Sequence, residues 1–147
     1  MNEYALDIMR LGGQGYCCAQ IMVLLALEMQ GVENPGLVRA MTGLCDGGGV
    51  RHCTCGILTG GACVLGYYAG KGRPDEQAHD VLPVMLEALT DWFTETVSKR
   101  FGGITCEAIV PDDTPNPTVC GGMIGECFEE IMRILVDYGF DPSQEPA

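Results

Sequence analysis

Nine cysteines dominate the chemistry open to this chain of 147 residues. They stand at Cys17, Cys18, Cys45, Cys53, Cys55, Cys63, Cys106, Cys120 and Cys127. Thiolates attack disulfides, ligate soft metal ions and hold iron–sulfur clusters. The spacings give no C-x-x-C pair, which excludes a zinc ribbon and a thioredoxin-like dithiol. They give no C-x-x-C-x-x-C run for a ferredoxin-type cluster and no C-x-x-C-H for attached haem. A shared site must therefore gather cysteines from separate segments. The odd total leaves at least one thiol unpaired in any all-disulfide scheme.

The segment richest in signals runs Cys45-Asp46-Gly47-Gly48-Gly49-Val50-Arg51-His52-Cys53-Thr54-Cys55. Its glycines suit a loop in backbone shapes other residues avoid, and without a following Gly-Lys-Ser/Thr they make no phosphate loop. Cys55 immediately precedes an expected helix, whose free N–H groups and dipole favour negative charge. That position predicts a thiolate of lowered pKa, a better nucleophile or ligand. Cys53-Thr54-Cys55 also puts two thiols in one loop, where both could chelate one metal ion. His52 reads as an exposed loop residue, His79 as a solvated one, and Cys63 as small helical packing. Cys45 ends a helix, and Cys17 could face either core or site.

Helices separated by glycine must position these groups. Asn2 can cap a short helix carrying Leu6, Ile8, Met9 and Leu11, ended by Gly12 and Gly13. A second, from about Cys17 to Gln30, is apolar nearly all round, as a buried helix would be. Asn34-Pro35 reads as the cap and first-turn proline of a third, ending near Leu44. The fourth runs from about Gly56 to Ala69, with small residues at Gly56, Gly60, Ala62, Gly66 and Gly70. Mid-helix glycine costs about 1 kcal/mol against alanine, so close approach of a neighbour is expected there. Pro74-Asp75-Glu76 reads as a helix start, with Pro83 kinking or splitting the helix that follows. Its face carries Met85, Leu89, Trp92, Phe93 and Val97, and Gly102-Gly103 stops it. A helical turn follows Cys106, Pro111 to Pro117 is a surface loop, and a last helix runs from about Val119 to Tyr138. It places Met123, Cys127, Ile131 and Ile134 or Leu135 inward. No segment alternates as a strand does. The expected fold is all-α, a single-domain bundle of about five to seven helices over residues 1–140, with a loose tail at 141–147.

Gly15-Tyr16-Cys17-Cys18-Ala19-Gln20, Gly47-Gly48-Gly49 and Cys55-Gly56-Ile57-Leu58-Thr59-Gly60 together resemble the C_GCAxxG_C_C family. Phe101-Gly102-Gly103-Ile104-Thr105-Cys106 and the late Cys127 continue the likeness. The resemblance implies a small, mostly helical protein with four hallmark cysteines and a redox role inferred from them. Matched residue by residue, the four are Cys18, Cys55, Cys106 and Cys127. Cys127, before Phe-Glu-Glu-Ile, fits better than Cys120. Ile57 replaces the motif's alanine.

Composition narrows the function. Twenty acids against 8 bases give a net charge of −12, and without a Lys/Arg cluster this excludes a nucleic-acid binder. At 47% hydrophobic the chain is too apolar for disorder. The run Ile21 to Leu27 is too short to span a bilayer, and residues 1–16 carry no secretory pattern. A cytoplasmic location is the expectation, where thiols stay reduced. Three functions follow. Cys18, Cys55, Cys106 and Cys127, with Cys53 and Gly56 beside them, could bind an iron–sulfur cluster for electron transfer. A metal-free thiol–disulfide enzyme or sensor could instead use Cys55 to attack and Cys18 or Cys106 to resolve. A non-catalytic helical module with structural zinc is the third. The acidic charge suits docking to a basic redox partner protein, and a glycine-lined helix suits a homodimer.

Overall fold

The computed structural model describes residues 2–112 and 116–146. It is all-α: among the described residues seven helices form a single domain and there is no strand. Helix α1 spans Ala5–Gly13, α2 Cys18–Gln30, α3 Pro35–Ala40, α4 Gly56–Ala69, α5 Leu82–Phe101, α6 Cys106–Ile109 and α7 Pro117–Asp137. A 3-10 turn over Met41–Leu44 extends α3. The surface loop expected over 111–117 falls partly on residues 113–115, outside the described residues.

The elements begin and end for local reasons. Cys17, in extended conformation, is the N-cap of α2, and Gly31 closes that helix in the left-handed region at φ 72°. Asn34 and Asn116 cap α3 and α7, their side-chain oxygens accepting from the amides of Leu37 and Val119. Asn2 lies further out than expected. Its side chain accepts from the Tyr4 amide at 2.8 Å, and Tyr4 itself stands at the N-cap of α1. Residues 74–80 form no helix, and Pro83 falls in the first turn of α5. The proline therefore opens that helix and kinks nothing, since a first-turn residue needs no intrahelical N–H. The turn ahead of it is closed by Glu76, whose carboxylate accepts from the amides of Gly72 and Arg73.

The core lies where α2, α4, α5 and α7 pack. Met22, Leu27, Leu65, Met85, Leu89, Phe93, Phe128, Ile131, Ile134 and Leu135 are all buried in it. The α2–α4 contact is unusually close: a Cβ placed on Gly60 would stand 2.9 Å from the Ala19 Cα. Close packing does not run the length of the small-residue stripe, because Gly66 has nothing within 4 Å of its Cβ position. Gln20 then ties α2 to the next segment, donating to the Val38 carbonyl and to Thr42 Oγ1 at 2.9 Å. At the other end of the chain, Tyr68 donates to the Pro142 carbonyl at 2.6 Å, and His79 stacks edge-on against Phe140.

Candidate redox site

Between the 3-10 turn and α4 the backbone turns left-handed. Cys45–Gly48 closes like a helical turn, with the Gly49 amide donating to the Cys45 carbonyl at 2.8 Å. Its inner residues Asp46 and Gly47 have φ 53° and 59°. Gly48 and Gly49 continue at φ 77° and 83°. L-residues avoid this region at a cost of roughly 1–2 kcal/mol each, which is why three of the four are glycine and the fourth is an aspartate. Gly47 is doubly constrained, since a Cβ there would meet the Cys53 carbonyl oxygen at 2.8 Å and the Cys106 Cβ at 2.9 Å.

The chain after this turn runs antiparallel beside residues 104–107. The Cys55 amide donates to the Ile104 carbonyl at 2.8 Å, Cys106 to Cys53 at 3.3 Å, and Glu107 to Arg51 at 3.0 Å. An isolated bridge pairs Thr54 with Thr105, and Thr105 Oγ1 also caps α6 through the Ala108 amide. This short ladder sets Cys53 opposite Cys106 and Cys55 opposite Ile104, so both thiols of the Cys-Thr-Cys segment lie beside the start of α6. His52, exposed as expected, pairs with Glu107 at 3.0 Å.

Cys18, in the first turn of α2, completes the inner wall. Its sulfur packs against Gly56, whose Cβ position lies 2.8 Å from it and 2.6 Å from the Leu44 carbonyl oxygen. The backbone of Asp46 and Ala19 favours its thiolate form. From α7, Cys120 lies within electrostatic reach of Cys18, Cys55 and Cys106, whereas Cys127 reaches only Cys55 among the thiols. Cys127 is fully buried on the core side, beside Gly61 and Ile131. Cys53 is exposed at the rim, its sulfur 3.8 Å from the Cβ position of Gly48. Cys63 stands apart on α4, partly buried.

The electrostatics correct one expectation. Cys55 does sit at the start of α4, where the Ile57 amide favours its thiolate, yet its pKa is pushed up to about 12. Burial is the largest cause, and the neighbouring Cys18, Cys120 and Cys106 add to it. Desolvation of an anion outweighs one turn of helix dipole. Cys18 is raised by burial against the opposing influence of the Asp46 and Ala19 backbone, Cys120 is raised to about 11, and Cys127 is raised furthest.

Cys17 and Cys45, given no role by their spacing, form a disulfide with Cα atoms 5.9 Å apart, near the commonest separation for such bridges. It joins the N-cap of α2 to the start of the left-handed turn. Nothing in a 28-residue separation signals that pairing. Among the described residues, no three His, Cys, Asp or Glu side chains are grouped tightly enough to hold a metal ion as they stand. No helix among the described residues is long and apolar enough to cross a membrane.

A bundle whose thiols converge from distant segments on a glycine-lined turn is the pattern of a cysteine-based redox protein. A family model described as "Putative redox-active protein (C_GCAxxG_C_C)" matches residues 16–134. The chain belongs to that family. No curated protein and no solved structure matches it. The motif's departure at Ile57 is absorbed by the core, where that side chain is buried.

Proposed function

We propose that the chain transfers electrons through an iron–sulfur cluster held by Cys18, Cys55, Cys106 and a thiol of α7. The observation that carries this reading is the convergence of those thiols from four elements, with Gly47 and Gly56 leaving no room for a side chain among them. The donor set fits the group chemically, since thiolates are the usual cluster ligands. Clustered buried thiols are poor nucleophiles, because their pKa values rise. Metal cations invert that logic by deprotonating the thiols that bind them. A cluster also spreads its thiolates wider than a single ion does, and so asks less closing-in of these four. When bound, such a group supplies one-electron chemistry. The chain's own part is to present the sulfurs, exclude water with α2, α4 and α7, and direct backbone N–H groups at the site, which tunes its potential.

For the α7 ligand, the sequence favours Cys127 and the electrostatic grouping favours Cys120. Reconstitution with iron and sulfide under anaerobic conditions tests both points. Visible absorption with bound iron and sulfide is expected, lost in Cys18→Ser, Cys55→Ser and Cys106→Ser. Of Cys120→Ser and Cys127→Ser, the one that loses the chromophore identifies the ligand. Protein that stays colourless and iron-free would overturn the reading. Its partner would be a basic redox protein, attracted by the net charge of −12; a cytoplasmic location and a homodimer fit the same picture.

A second reading, thiol–disulfide exchange, is favoured by the Cys17–Cys45 bridge. Exchange with an outside substrate needs a cysteine that is reactive at neutral pH and within reach, and Cys55, buried and raised to about 12, is not placed for that task.

A further inference from the structure

We propose that the Cys17–Cys45 disulfide is a second redox centre, connected to the buried thiol group through Cys18. Cys18 lies between the two. It is the chain neighbour of Cys17, and its sulfur packs against Gly56, next to Cys55. The Gly56 Cβ position, 2.8 Å from that sulfur, is 2.6 Å from the carbonyl oxygen of Leu44, the chain neighbour of Cys45.

Exchange along this line balances within the chain. The Cys18 thiolate attacks the Cys45 sulfur, a Cys18–Cys45 bond forms, and Cys17 leaves as thiolate and takes a proton. Attack on Cys17 would instead join adjacent residues in a small strained ring. Cys55, as thiolate, then attacks the Cys18 sulfur, forming Cys18–Cys55 and releasing Cys45, which is protonated. Two electrons and two protons have passed from the Cys18 and Cys55 thiols to the Cys17–Cys45 disulfide. The inference does not rest on a cluster; a cluster holding Cys18 would block the exchange.

Metal-free, full-length protein carrying one disulfide per chain tests this directly. It is held anaerobically without added thiol, then acid-quenched, alkylated and mapped by tandem mass spectrometry. The expected result is a set of bridges including Cys18–Cys45, with Cys18–Cys55 growing later, and loss of both in Cys18→Ser, which keeps only Cys17–Cys45. Oxidised Cys17→Ser is expected to bridge Cys18 to Cys45. Cys18 fully alkylated in the wild type, or Cys55 bridges forming equally in Cys18→Ser, would overturn it. Because the readout is the position of a bond in metal-free protein, failure here is distinct from failure of cluster reconstitution.

Discussion

An added methyl group at Gly56 would fall 2.6 Å from the Leu44 carbonyl oxygen and 2.8 Å from the Cys18 sulfur. The first is backbone and cannot give way cheaply. Gly56→Ala is therefore expected to destabilise the fold by about 1–3 kcal/mol, read from urea unfolding. Gly66→Ala, on the same helix but facing open space, should stabilise it by up to about 1 kcal/mol. Thiol reactivity should divide the cysteines as sharply. Exposed Cys53 is expected to alkylate first at pH 8, with Cys55 and Cys127 last, which timed alkylation and mass spectrometry would check. Much of this was legible in the residues: the Cys-Gly start of α4, Cys18 and Cys106 all come to one place. The choice between Cys120 and Cys127 was not. Seven residues apart on one helix, they share a face about 10.5 Å apart along the axis, so periodicity treats them alike.

At the scale of elements, the left-handed turn Cys45–Gly48 is held at one end by the disulfide and against residues 51–55 and 104–107 at the other. A bridge closing a loop with a separation of 28 residues removes denatured-state entropy equivalent to about 3–4 kcal/mol. In Cys18→Ser, where the bond cannot migrate, reduction of the bridge is expected to lower unfolding stability by about that amount in paired urea titrations. The glycine run predicted a loop here, and its positive φ angles bear that out. Its handedness and its bridge depend on contacts across the fold, which a local pattern cannot encode. Pro83 shows the same boundary, because a proline alone does not reveal whether it interrupts a helix or starts one.

Across the whole molecule, charge and topology set the behaviour. Ion pairs such as Arg10–Glu28 and Arg100–Glu126 lie on the surface, where each contributes at most about 1 kcal/mol. The excess of acids over bases acts everywhere, so self-repulsion dominates. Screening should then help the native state: the melting temperature is expected to rise with added sodium chloride, and a fall would show that the ion pairs matter more. The all-α architecture was readable from helix periodicity and caps, whereas the packing order of the helices was not. That order matters for assembly. Asn2 donates to Glu129 at 2.7 Å, and Tyr4 stacks edge-on against Phe128, so the first helix rests on the last. On a ribosome, α1 and α2 emerge long before the surface that receives them. Nascent chains must wait with Met22, Leu25 and Leu27 uncovered, and chaperones that hold apolar segments have their longest opportunity there.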